Sequence, residues 1–105
     1  MRFEVSINGE KVCTAGIRDY GVLSTTVTRV KRNPSQVDPS KLRNSSLEDF
    51  LEELTEINVT GLDSNDSAGP HGNHVSWIKQ ALKAGDEVVI RILPPGEADA
   101  PIESR

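Results

Sequence analysis

The start of the chain restricts the fold most strongly, because it has the pattern of two short strands joined by a tight turn. Phe3, Val5 and Ile7 alternate with polar residues, and Asn8-Gly9 follows directly. Asn-Gly readily adopts the positive φ angles of a type I′ turn, whose twist matches that of the flanking strands. The sequence therefore predicts a β-hairpin. The predicted cross-strand pairs are Ile7–Glu10, Val5–Val12 and Phe3–Thr14.

This register divides the side chains of the hairpin between two faces, because side chains alternate along a strand. The apolar face contains Phe3, Val5, Ile7 and Val12. The opposite face contains Glu4, Ser6, Lys11 and Cys13. The hairpin therefore offers one side to a core and the other to water.

Further strands are predicted along the chain. Residues 22–32 are rich in β-branched side chains, which fit strands better than helices, and neither face of this segment is strongly apolar. Such a strand belongs at the edge of a sheet. Alternating patterns continue over residues 57–60, 74–80 and 87–93, and Pro94-Pro95 ends the last of them.

One short helix is predicted from Ser46, which has the side chain of an N-cap. Apolar residues follow at helical spacing: Leu47, Phe50, Leu51 and Leu54. About six strands with one helix predict a mainly β fold, bordering on α+β, built as a small antiparallel β-barrel or sandwich. We expect residues 1–94 to form a single β-rich domain and residues 95–105, acidic and proline-containing, to be a disordered tail.

Composition narrows the function classes. The net charge of −4 argues against nucleic acid as a partner, and the chain is only 35% hydrophobic and 4% aromatic. No apolar run approaches the ~20 residues of a membrane span, so no membrane association is expected. The single Cys13 forms no intramolecular disulfide, which is consistent with a cytoplasmic protein.

The polar loop after residue 60 contains the candidate metal ligands, namely Asp63, Asp66, His71 and His74. Carboxylates and imidazoles together bind zinc-like divalent ions. The spacing does not match an EF-hand, however, and no helix fixes the two histidines. The competing interpretation is a polar loop whose Asp, Asn and Gly residues satisfy its own turns, with no cofactor.

Catalytic patterns are otherwise weak. Ser64 and Ser67 precede the histidines, but the chain contains no Gly-x-Ser-x-Gly elbow and no glycine-rich phosphate loop. Trp77 suits a core position better than an interaction hot spot. The sequence therefore favours a non-enzymatic function over an enzyme, with a metal-binding protein or small metal-dependent enzyme as the alternative.

The predicted edge strand is the candidate interaction site. Val27, Arg29, Lys31 and Arg32 lie on or beside it and are predicted to carry a protein partner or self-association. The competing interpretation is a solvated basic run, which also includes Lys41 and Arg43, paired to the acidic residues of the predicted helix. The expected function is that of a small protein-binding or adaptor module.

Overall fold

The computed structural model describes residues 1–41, 47, 51–65, 69 and 71–104. Within these residues the chain forms antiparallel strands joined by turns. The strands are β1 (Arg2–Ile7), β2 (Glu10–Gly16), β3 (Gly21–Val30), β4 (Leu54–Asp63), β5 (Asn73–Leu82), β6 (Val88–Leu93) and the short β7 (Glu103–Ser104). Two 3-10 turns, Pro34–Gln36 and Pro39–Lys41, follow β3. The helix predicted from Ser46 lies largely outside the described residues.

The strands form two sheets. Sheet A has the order β2-β1-β6, and sheet B has the order β3-β4-β5-β7. The predicted mainly β, antiparallel architecture is confirmed, but the sheets do not close into a barrel. The reason is that β6 and β3 each have a hydrogen-bonded neighbour on one side only within the described part of the chain.

Both sheets contribute to one small apolar core. The buried members are Val5 and Ile7 from β1, Cys13 and Ala15 from β2, Ile57 and Val59 from β4, and Trp77 from β5. They recur at every second position of each strand, as expected when one face of a sheet is buried. The core position predicted for Trp77 is confirmed, since only 6% of its surface is exposed.

The first hairpin has the predicted turn but a different register. Asn8 and Gly9 have φ angles of 54° and 80°, and Ile7 pairs with Glu10 as predicted. Beyond Ser6 the register shifts by one residue, so that Val5 pairs with Cys13 rather than with Val12. A β-bulge of this kind inserts one unpaired residue and moves every later side chain to the other face. Cys13 is therefore a core residue, and its predicted placement on the polar face is wrong.

Strand β4 extends further than predicted, because Gly61 leaves room for the side chain of Ile17. Gly61 was expected to begin a loop, but β4 continues through it to Asp63. A Cβ atom at Gly61 would lie 2.5 Å from Cδ1 of Ile17 and 3.0 Å from the carbonyl oxygen of Val22. Glycine in this strand thus permits the close approach of the β2–β3 connection.

The C-terminal segment, expected to be a disordered tail, lies across both sheets over residues 95–104. Arg2 fixes its start, because its Nε donates to the carbonyl of Pro94 at 2.8 Å and its Nη1 to that of Glu97 at 2.9 Å. At the other end the Ile102 N–H donates to the Ser76 carbonyl at 2.8 Å, and β7 pairs with β5. The acidic, proline-containing composition suggested disorder, but hydrogen bonds to Arg2, Thr14, Ser76 and Trp77 hold this segment.

Asp99 connects the two sheets within this segment. Its N–H donates to the Thr14 carbonyl, and its Oδ2 accepts from the Thr14 N–H, both at 2.8 Å. Its carbonyl accepts from Nε1 of Trp77, also at 2.8 Å. Because Thr14 belongs to β2 and Trp77 to β5, one residue satisfies polar groups on both sheets.

Replacing Asp99 by alanine removes the acceptor of the Thr14 N–H, which belongs to a residue only 7% exposed. We expect the free energy of unfolding, measured by chemical denaturation, to fall by about 1–3 kcal/mol, because a buried donor loses its partner. Glu97→Ala is the matched control, since Glu97 contacts Arg2 through its backbone carbonyl. Equal losses for the two variants would contradict the assigned role of Asp99.

Candidate functional site

Strand β3 forms one edge of sheet B. It is ten residues long, pairs with β4 without a bulge, and has no strand on its other side within the described ranges. The edge position predicted for residues 22–32 is therefore confirmed for residues 22–30, while residues 31 and 32 lie beyond the end of β3. An exposed strand edge presents a row of unpaired backbone groups that can bond to another chain.

The backbone groups at this edge can be identified from one hydrogen bond. The Ser64 N–H donates to the Tyr20 carbonyl at 3.0 Å, and these two residues continue the register in which Gly21 pairs with Asp63. Hydrogen-bonded pairs alternate along an antiparallel ladder, so even-numbered residues of β3 bond to β4. Odd-numbered residues direct their N–H and C=O groups outward. These are Gly21, Leu23, Thr25, Val27 and Arg29.

Apolar side chains accompany these backbone groups. Val27 is 54% exposed, although it pairs with Ile57, which is completely buried. Paired residues share a face, so the apolar layer of sheet B continues to Val27. The described residues leave this layer exposed at Val27. Val22, on the other face, is 57% exposed.

Basic side chains lie at the C-terminal end of the edge. Nε of Arg29 donates to Oε1 of Glu53 at 2.8 Å. This hydrogen bond and the charge of Arg29 lower the pKa of Glu53, and the charge of Lys31 lowers it further. The predicted pairing of the basic run with acidic residues is thus observed at one position. Both members of the pair are well exposed, and solvent screening keeps such pairs weak.

The remaining basic residues of the run are placed as follows. Lys31 and Arg32 are exposed directly after β3, and Lys41 ends the second 3-10 turn. Arg43 lies outside the described residues. The three residues nearest to the edge, Arg29, Lys31 and Arg32, give it a positively charged end.

The predicted metal ligands are spread over the connection between β4 and β5. Asp63 pairs with Asn73, whereas His74 pairs with Leu62, so that Asp63 and His74 lie on opposite faces of sheet B. His71 is exposed in a turn, and Asp66 lies outside the described residues. Among the residues that are described, no three His, Cys, Asp or Glu side chains are grouped in a way that could hold a metal ion.

Asp63 and Asn65, two polar residues of this connection, have hydrogen-bond partners within the protein instead. Oδ1 of Asp63 accepts from the Asn65 N–H at 2.9 Å and from Asn65 Nδ2 at 2.8 Å. Asn65 in turn contacts the carbonyl of Arg18 and accepts from the Tyr20 N–H at 3.2 Å. The contacts between Asp63 and Asn65 are those of a turn that satisfies its own polar groups, whereas the contacts of Asn65 with Arg18 and Tyr20 connect the end of β4 to the β2–β3 connection.

Cys13 lies in the core and has little nucleophilic character. It is 4% exposed. Burial raises the pKa of the Cys13 thiol, and the nearby negative charge of Asp99 raises it further. Because the thiolate is the reactive form, both effects oppose reaction at neutral pH.

A cleft of about 780 Å³ lies between the N-terminus, the β2–β3 connection and the C-terminal segment. Arg2, Ile17, Asp63, Trp77 and Asp99 contribute to its walls. Sequence reasoning missed this cleft because one wall is the segment expected to be disordered. Trp77 could have indicated that another segment packs here, because a buried indole N–H requires a hydrogen-bond acceptor.

The assignment of outward backbone groups predicts a pattern of hydrogen exchange. In the free protein the amides of Thr25 and Val27 should exchange faster than those of Ser24, Thr26 and Thr28, because the latter bond to β4. Residue-resolved exchange measured by NMR tests this. Uniform protection along β3 would show that the outer edge is already paired.

The burial of Cys13 predicts slow reaction with a thiol reagent. With Ellman's reagent at neutral pH, the native protein should react far more slowly than the denatured chain, since its raised thiol pKa leaves less thiolate. Asp99→Ala should speed the reaction by removing a negative charge. Equal rates for native and denatured protein would contradict the core position.

In the described part of the chain, no helix has both the length and the apolar character needed to cross a membrane. Comparison with known proteins adds no functional assignment. No protein-family model matches the chain, and no curated protein or solved structure shows significant similarity to it.

Proposed function

We propose that this protein is a non-enzymatic binding module that adds an extended segment of another protein to the outer edge of β3. The observation that carries the proposal is the ten-residue strand whose odd-numbered residues direct backbone groups away from β4. A segment bound along this edge gains main-chain hydrogen bonds in the manner of β-strand addition.

Val27 supplies an apolar contact beside this ladder. Its exposed side chain adjoins the buried Ile57, so a bound segment with an apolar residue on the same face would continue the core. Alternate side chains of the added strand meet this face, and they determine which sequences bind.

Charge favours a different protein over a second copy as the partner on β3. Residues 21–32 include Arg29, Lys31 and Arg32 but no Asp or Glu. A second β3 would therefore provide no carboxylate for the basic end, whereas an acidic extended segment would. Complementary charge also speeds encounter.

The alternative of a metal-dependent enzyme has less support from the geometry. It would use Asp63, Asp66, His71 and His74, yet Asp63 and His74 lie on opposite faces of sheet B. Asp63 already accepts two hydrogen bonds from Asn65.

A proline scan of the edge tests the proposal against peptides selected from a random displayed library. Val27→Pro removes an outward N–H and leaves the hydrogen bonds to β4, so the fold should persist. The selected peptides should bind this variant at least about tenfold more weakly, which corresponds to a loss of ~1.4 kcal/mol of binding free energy. Thr26→Pro is the matched variant, because it removes a bond to β4 and should lower the thermal midpoint instead. Peptides that bind Val27→Pro as well as the parent would refute strand addition here.

The basic end predicts a preference among those peptides. Acidic residues should be enriched in them, and Lys31→Glu should weaken their binding about 2–10-fold at low salt, with the effect reduced at high salt. Lys11→Glu, at an exposed position of β2 in sheet A, makes the same charge change as a control. Identical effects of the two substitutions would show that only net charge matters.

A further inference from the structure

The outer edge of β6 is a second strand edge that has no hydrogen-bonded neighbour among the described residues. The Asn8 N–H donates to the Glu87 carbonyl at 2.8 Å, and this pair continues the register in which Ile7 pairs with Val88. By the alternation of antiparallel ladders, odd-numbered residues of β6 bond to β1. The backbone groups that point outward belong to Val88, Ile90 and Ile92.

Exposed apolar side chains lie on both faces of this edge. Val89, Ile90 and Ile92 are 42%, 44% and 66% exposed. Ile90 pairs with the buried Val5, so it lies on the core face of sheet A. Edge strands are commonly protected by charges or proline, and the only charged residue within β6 is Arg91.

The C-terminal segment does not cover this edge. It leaves β6 at Pro94, whose carbonyl accepts from Arg2 on β1 at 2.8 Å, and it continues to Thr14 on β2. Strand β1 lies between β6 and β2, so the segment crosses sheet A away from the outer edge of β6.

We propose that a second copy of this chain occupies the edge, by antiparallel pairing of β6 with β6 about a two-fold axis at Ile90. In this register Ile90 meets Ile90 of the second copy, and Val88 meets Ile92. The three outward-bonding positions are thus paired, and every cross-strand contact on the core face is apolar. The apolar layer of sheet A then continues across the axis, as an isologous contact requires.

Charge disfavours the neighbouring register centred on Arg91. Centring the axis on Ile90 places Arg91 opposite Val89, whereas centring it on Arg91 would place two guanidinium groups opposite each other, which is destabilising. Nη1 of Arg91 also lies 3.5 Å from Oε1 of Glu4 on the adjacent strand. The charge of Arg91 is therefore partly balanced within each copy.

Disulfide trapping tests the register. Residues in a hydrogen-bonded antiparallel pair have Cα atoms about 5.5 Å apart, within the range that a disulfide spans. In a Cys13→Ala background, Ile90→Cys should form a covalent dimer under mild oxidation. Val89→Cys is the matched control, because Val89 is similarly exposed. In the proposed register residue 89 lies diagonally across from residue 89 of the second copy, at a distance of about 7–8 Å, and should therefore cross-link poorly.

Mass measurement tests the association itself. Sedimentation of the parent protein should show a dimer at high concentration. Ile90→Asp places two carboxylates opposite each other at the two-fold axis and should therefore halve the measured mass. Val22→Asp, an equally polar change on β3, should leave the dimer intact. A parent that stays monomeric at every concentration overturns the proposal. So does a dimer abolished by Val27→Pro but retained by Ile90→Asp, or cross-linking at Val89→Cys equal to that at Ile90→Cys. None of these outcomes depends on peptide binding to β3.

Discussion

The backbone of Thr14 would be left unpaired on its outer side if Asp99 did not bond to it. Thr14 lies on β2 at the edge of sheet A and is buried beside the core, where an unpaired N–H or C=O costs stability. Asp99 satisfies both groups and accepts from Trp77 on sheet B as well. The contact between the sheets therefore includes a polar bridge as well as apolar packing.

The small core explains why such a bridge is needed and why strand edges remain open. Among the described residues only a few side chains are fully buried, and the molecule is flat, with principal extents of 47 × 37 × 18 Å. The described residues leave parts of the apolar faces of both sheets exposed. Apolar positions of the core faces consequently reach the surface at Val27 on β3 and at Ile90 on β6.

The two open edges differ in chemistry, and this difference separates their proposed partners. β3 ends in a basic run without acidic residues, which suits an acidic segment from another protein. β6 is apolar around its centre and pairs favourably with itself. A dimer through β6 would leave both copies of β3 accessible, so that one assembly could present two binding edges and gain avidity for a repeated target.

The sequence by itself determined the six longer strands, the Asn8-Gly9 turn, the edge character of residues 22–30 and the core position of Trp77, because each depends on local periodicity, turn preference or side-chain size. Tertiary structure decided what local pattern could not. The bulge near Val12 moved Cys13 into the core, since two residues of β2 must face one of β1. The close packing of Ile17 kept Gly61 within a strand. The segment after Pro94 was ordered by hydrogen-bond partners distant in sequence, as in the contact of Asp99 with Thr14 at a separation of 85 residues. Alternation reports only which side of a strand is apolar, whereas pairing partners and uncovered edges are properties of the assembled sheets.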